Sequence, residues 1–287
     1  MIKLGKYNPR KVVRKGKVSI IDEKYVIKEE KENNEILDYL KTRNFHYFPN
    51  IIERDENLLV SEYIENIEYP DEQKLYDLID LTSLLHSKTT YFKETDESKF
   101  NQIYEDISNN ILFLRSYYSD KITLIEAKTV YSPSEYLLLR NYNKILFSLD
   151  YAQNELDNFL NSTDKKMRIV VVHNNLDLNH YIKNDKDYLL SWSKAKFDMP
   201  IFDLYKLFKR NKTFNYIDLL NRYENNYPLL EYEKKLLLIM LCLPDILNNN
   251  ISEVLKVKEI KQMIINLDIL PNYLQNEPNN QIPKKET

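Results

Sequence analysis

Residues 167–192 read MRIVVVHNNLDLNHYIKNDKDYLLSW, and residues 198–207 read DMPIFDLYKL. The β-branched run Ile169–Val172 makes the first of these a strand, because branched side chains pack well on a pleated surface. HNNLDLNH, His173 to His180, has neither a two-residue nor a 3.6-residue apolar period and reads as a polar loop. YIKNDKDYLLSW then returns as a hairpin around Asn184-Asp185-Lys186. Helical spacing resumes just after Pro200, in IFDLYKLFKR.

This β-rich island lies inside a helical body. From Asp71 the apolar residues recur at helical spacing in KLYDLIDLTSLLHS, FNQIYEDISNNILFLRSYY and SEYLLLRNYNKILFSLDYAQNELDNFL, the last opening at Ser132-Pro133-Ser134-Glu135. Beyond the island, NYIDLLNRYE, EYEKKLLLIMLCL and ISEVLKVKEIKQMIINL continue the pattern. Upstream the period changes. KVVRKGKVSII and KYVIKE read as two strands around a turn at Asp22-Glu23, Asn33 to Thr42 as a helix with Ile36, Leu37 and Leu40 on one face, and NIIERDENLLVSEYIE as two strands around Asp55-Glu56-Asn57. The expected organisation is a β-rich unit over 1–65, a helical unit over 66–275, and a tail at 276–287 too poor in apolar residues to order. No internal repeat is present.

A chain of 287 residues, 43% hydrophobic and 30% charged, can bury a sizeable core without staples. No run of 18 apolar residues exists to span a bilayer, and MIKLGKYNPRKVV lacks the apolar centre of a signal peptide, so a cytoplasmic protein is expected. The net charge of 41 − 44 = −3 argues against nucleic acid as the partner. The basic residues Lys3, Lys6, Arg10, Lys11, Arg14, Lys15 and Lys17 read as a solvated edge, and Cys242, inside LLLIMLCLPDIL, as an inert core thiol.

The order of elements and the residues at the island resemble the aminoglycoside and choline phosphotransferase family. There the corresponding stretch holds a histidine, a glycine and an aspartate in a loop, an asparagine five positions after that aspartate, an isoleucine-aspartate-aromatic hairpin, and a proline followed by an aspartate-leucine helix start. The resemblance implies an α+β, bilobal, protein-kinase-like fold, with a small N-terminal β-sheet lobe carrying one helix and a larger, mainly helical C-terminal lobe. It makes Lys28 in KYVIKEE the counterpart of the lysine that pairs nucleotide phosphates, and Glu32 or Glu35 the glutamate that holds it. It makes LLVSEYIEN, with Glu62, the strand and hinge beside the nucleotide base, and LTSLLHSKTTYFKE at 81–94 the leucine-histidine helix that follows. His173 and Asp203 match the loop histidine and helix aspartate that brace the catalytic loop.

At the positions where that family does its chemistry, this chain departs. The base aspartate is replaced by Asn175, whose amide takes up no proton near pH 7. The metal-binding asparagine is replaced by His180, a nitrogen ligand ill suited to magnesium, and the metal-binding aspartate by Ser191. Metal-assisted neutralisation is the largest part of phosphoryl transfer, so the expectation is a pseudokinase that needs no cofactor, with ATP binding unfavoured but resting on Lys28. The competing reading is an active ATP-dependent phosphotransferase or nucleotidyl transferase in which Asp177, Asp187 or Asp198 supplies the carboxylate from a shifted position. Only Gly5 and Gly16 occur, so no glycine-rich loop cradles phosphate. His173, Asp177 and His180 have metal-ligand spacing only if helical, which the flanking strands argue against, while His46 and His86 are remote in sequence; no metal site is expected. Ser-His-Asp catalysis lacks a glycine-flanked nucleophile, and Trp192 and Phe197 read as packing residues. The degenerate loop, a histidine at position 180 and LHSKTTYFKE at 85–94 resemble most the spore-coat-associated branch of the family. What that implies is a scaffold binding a protein partner, spore-coat components among them.

Overall fold

The computed structural model describes residues 10–28, 33–54, 58–94, 97–162, 166–211 and 214–275; Lys3, Lys6, Glu32, the 55–57 turn and the tail at 276–287 lie outside them. The chain begins with a five-stranded antiparallel sheet of β1 (Val12–Lys15), β2 (Val18–Ile21), β3 (Tyr25–Lys28), β4 (Ile51–Arg54) and β5 (Leu59–Glu62), in the order β1-β2-β3-β5-β4. The stretch expected to be a single strand over 11–21 is two strands. Gly16 takes φ +58 between them, a left-handed turn open to glycine at no steric cost, and no residue in the apolar alternation announces that break. Asp22 and Glu23, φ 49 and 53, make the next turn, and the Asp22 carboxylate accepts the Lys11 amide at 2.6 Å. Ile21, Ile27 and Val60 form the buried face of the sheet. Lys28, one residue beyond Ile27, therefore projects to the opposite face.

Between β3 and β4, α1 (Asn34–Thr42) starts at Asn33, whose side-chain oxygen accepts the Ile36 amide at 3.3 Å. It buries Ile36, Leu37 and Leu40. The remainder is mainly helical: α2 (Asp71–Thr89), α3 (Glu97–Glu126), α4 (Pro133–Phe159), α5 (Ile201–Arg210), α6 (Tyr216–Asn226), α7 (Glu231–Cys242) and α8 (Glu253–Gln275). A capping box of Ser132 and Glu135, with Pro133 at the first turn, opens α4.

A second sheet, ordered β10-β7-β6, joins β6 (Tyr91–Glu94), β7 (Lys166–Val172) and β10 (Lys196–Asp198), and β8 (Tyr181–Lys183) pairs with β9 (Asp187–Leu189). The helix expected through residue 94 thus stops at Thr89. The Thr89 hydroxyl donates back to the Leu85 carbonyl at 2.8 Å and accepts the Val171 amide at 3.0 Å, so the end of α2 is fastened to β7 and Tyr91–Glu94 continues as an edge strand. A four-residue strand directly after a helical pattern leaves no periodicity of its own, and the three residues of β10 are too few to show one.

Two compact units emerge from the contacts. One contains the residues up to Lys93 with Arg168–Arg210 and Asp218–Pro228; the other contains Glu94–Met167, Asn211–Ile217 and the residues from Leu229 on. Contact thus groups residues by a different criterion from the change of period near residue 65: α2 packs on the 3-10 turn at Leu178–His180, which draws the loop and hairpin into the first unit. In the second unit α4 packs against α3, α7 and α8. Cys242 is buried there, and its carbonyl accepts the Ser148 hydroxyl at 2.6 Å. Among the described residues no helix is long and apolar enough to cross a membrane.

Candidate active site

Within the first unit a cavity of about 340 Å³ opens beneath the sheet, between apolar side chains of Val18, Ile20, Val26, Leu59, Ile182 and Leu190. Its polar residues are Lys28, Ser61, Glu62, Tyr63, Asn179, His180 and Ser191. Lys28 reaches it because the alternation of β3 turns that residue away from the Ile27 face, and its Nζ stands 3.5 Å from Ser191 Oγ. Ser191 follows the hairpin in left-handed backbone, φ 65 and ψ 62. His180 closes the 3-10 turn, and its Nδ1 donates to the Asn175 carbonyl at 2.8 Å. Lys28, His180 and Ser191 are therefore brought together at one cavity.

Asn175 is not among the cavity's lining. Its side-chain oxygen accepts from Arg210 Nη2 at 3.2 Å, while Arg210 Nη1 donates to the Leu176 carbonyl at 2.9 Å. The three carboxylates weighed as substitutes are each occupied elsewhere. Asp177 caps the 3-10 turn, accepting the Asn179 amide at 2.9 Å and its side-chain nitrogen at 2.8 Å. Asp187 accepts from Tyr181 at 2.5 Å, with Lys183 3.6 Å away, in a cluster completed by Tyr69 and Asp77. Asp198 pairs with Lys196 at 2.5 Å and accepts the Met199 amide. None of the three lines the cavity. Glu62 does line it, and its carboxylate accepts both the backbone and side-chain nitrogens of Asn50, at 2.8 and 3.0 Å. Glu35 is exposed on α1 and is not part of the lining; Glu32 lies outside the described residues.

Magnesium demands hard oxygens in near-octahedral array. One hydroxyl, one imidazole and a carboxylate already bonded to Asn50 do not supply them, and among the described residues no group of three or more His, Cys, Asp or Glu side chains is placed to hold a metal ion. The residues present do not fit the magnesium that phosphoryl transfer uses.

The loop itself is held from below. Asp203, wholly buried near the start of α5, accepts the His173 amide at 2.7 Å and the Asn174 amide at 2.6 Å. It also accepts from His86 Nε2 at 3.2 Å, and His86 Nδ1 meets the Tyr223 hydroxyl at 2.6 Å. The resemblance places His86 in the leucine-histidine helix without giving it a partner, and its place on the apolar stripe of α2, where it is fully buried, is the signal that it bonds within the core. His173 Nε2 donates to the Leu190 carbonyl at 2.9 Å, which ties the loop to the hairpin end, and burial pushes the imidazole down to about 4. Trp192 packs edge-on against His173 at 4.7 Å and also lines the cavity; Phe197 is partly exposed and packs on Tyr39 at 5.2 Å.

No family model and no curated protein matches the sequence. Solved structures do match. An aminoglycoside phosphotransferase from Alicyclobacillus acidocaldarius superposes with a TM-score of 0.69 at 10% identity, over 93% of this chain and 93% of that one. The chain has the protein-kinase-like fold. A spectinomycin phosphotransferase, solved with ADP and spectinomycin, follows at a TM-score of 0.50 and 12% identity, over 91% and 92% of the two chains. A choline kinase from Streptococcus pneumoniae matches at 0.47 and 16%, over 91% and 94%. At these identities the likeness is one of fold: α+β and bilobal, with an antiparallel-sheet lobe followed by a mainly helical remainder. The resemblance of the loop and the likeness of the whole chain point to the same architecture.

Proposed function

We propose that this chain is a pseudokinase: a kinase-like protein that binds a protein partner and transfers no phosphate. One observation carries the reading. The cavity's polar end presents a lysine, a serine, a histidine and an amide, and its one carboxylate, that of Glu62, is bonded to Asn50. Among the described residues no lining carboxylate other than Glu62 is placed to anchor a divalent ion or to take the acceptor's proton, the two roles that phosphoryl transfer requires. Lys28 is the lysine among the described lining residues, so a nucleotide phosphate would meet it there without metal. A place in the spore coat rests on the sequence resemblance at His180 and residues 85–94.

The test is to hold the full chain with ATP and magnesium or manganese in the presence of choline, ethanolamine and a panel of aminoglycosides, following phosphate release and thermal stability together. No turnover above the protein-free rate, and a Tm indifferent to the metal, are expected. Metal-dependent stabilisation accompanied by transfer that Lys28→Ala abolishes would overturn the reading.

A further inference from the structure

Outside the cavity, four cations gather around the start of the loop. Asn174 sits in left-handed backbone, φ 60; its side-chain nitrogen donates to the Lys194 carbonyl at 2.9 Å, and its oxygen accepts from Lys206 Nζ on α5. Arg210, one helical turn further along, holds Asn175 and Leu176 by the two bonds already described. Lys196 lies on β10 between these groups in sequence. The neighbouring carboxylates do not balance the cluster. Asp198 is taken by Lys196, Asp177 stands 4.0 Å from Arg210, and Asp203 is buried with its oxygens on two backbone amides and His86. Among the described residues, Lys194 and Lys206 have no carboxylate partner, and the one side-chain bond of Lys206 goes to a neutral amide.

Lys206 is half-buried, so this imbalance has a cost. Burial first, and after it the charges of Lys196, Arg210 and Lys194, hold its ammonium below the ordinary lysine value against the opposing pull of Asp203. A part-buried cation among cations is relieved by a ligand of opposite charge. The loop adds the right neighbours for one, since the amide side chains of Asn174 and Asn175 can donate or accept without adding negative charge.

We propose that Lys194, Lys206 and Arg210, in front of Asn174 and Asn175, form a binding site for a phosphate monoester group. A phosphate carries about −1.5 to −2 at neutral pH and offers several acceptor oxygens, which matches two unbalanced ammonium groups and a guanidinium fork better than a single carboxylate does. The site is separate from the Lys28 cavity and does not depend on whether that cavity takes a nucleotide.

Thermal unfolding of the full chain in inorganic phosphate, against chloride at equal ionic strength, tests it. Phosphate is expected to raise Tm beyond chloride; Lys206→Met and, because it changes only an exposed side chain, Lys194→Gln should each weaken the apparent phosphate affinity about tenfold, while Lys28→Met leaves it unchanged. Stronger protection by a phosphoserine peptide than by inorganic phosphate would assign the group to a protein partner; equal or weaker protection assigns it to a small phosphate. Equal effects of phosphate and chloride, or a phosphate effect lost in Lys28→Met and kept in both other variants, would overturn the proposal.

Discussion

The two sides of the 173–180 loop differ in how fully their polar groups are matched. Beneath the loop, one buried carboxylate satisfies two backbone amides and an imidazole, and that imidazole is satisfied in turn by a tyrosine hydroxyl. On the cavity side stand a lysine, a serine in left-handed backbone and a histidine, with the one lining carboxylate bonded elsewhere. Around Asp203 the support is closed within the protein, and among the described residues His173 Nδ1 is the buried side-chain atom left without a hydrogen-bond partner. Loop shape here is set by buried groups of the protein itself, so it does not depend on which side chains stand at 180 and 191. Removing Asp203 should break the closed side most severely. Asp203→Ala leaves two buried donors and one part-buried donor unpaired, the buried ones at about 1–3 kcal/mol each, so a loss of roughly 3–5 kcal/mol is expected in urea unfolding. Ser191→Ala, by contrast, should cost less than about 1 kcal/mol. Equal costs at the two positions would break the comparison.

Acid titration probes the same closed side more gently. The His173 imidazole is neutral in the folded chain down to about 4, whereas in the unfolded chain it takes up a proton near its ordinary value of 6.5. Between those two values the unfolded state binds more protons, so stability is complete above about pH 6.5 and falls as pH is lowered towards 4, by about 3 kcal/mol from this residue. Carboxylates contribute to the same slope. The contrast with His173→Gln, whose amide nitrogen can still donate to the Leu190 carbonyl, isolates the histidine: the variant should show the shallower fall between pH 6.5 and 4. An identical slope in both proteins would mean that His173 protonates without opening the loop.

How much of this was legible beforehand divides along the same line. The helices and the order of strands follow from apolar period, which burial imposes on sequence directly, and the loop was placed because its polar run interrupts that period. Asp203 and His173 were recognisable from the motif. The histidine of α2 was legible as part of that helix, but its bond to Tyr223 was not, since a buried hydrogen-bonded pair 137 residues apart leaves no local pattern of the pairing. The arrest of α2 at Thr89 was equally hidden, because what stops the helix is a hydroxyl bonded across to Val171. At the candidate site, the residue types at 175, 180 and 191 could be read, but the engagement of Asp177, Asp187 and Asp198 by local partners could not. Each carboxylate is silenced by a bond to a neighbour in space or by a cap, and sequence alone shows only that a charge is present.

The smallest effect is expected from placing a single acid on the open side. Ser191→Asp places a carboxylate beside Lys28, whose Nζ lies 3.5 Å from the present hydroxyl, and aspartate tolerates left-handed backbone better than most residues. A part-exposed ion pair contributes about 0–1 kcal/mol, so the stability of the variant without ligand should stay within that range of the parent. What should change is the response to metal. The new oxygen gives magnesium one hard ligand next to a bound nucleotide, and with His180 still a nitrogen donor the gain should be partial, a rise in Tm of about 2 °C that requires ATP and magnesium together. The same rise in the unaltered chain would mean that position 191 does not control metal binding, and the contrast between a closed support and an acid-poor cavity would then lose its functional meaning. A rise confined to Ser191→Asp would locate the missing chemistry at a single side chain on a loop whose geometry was already in place.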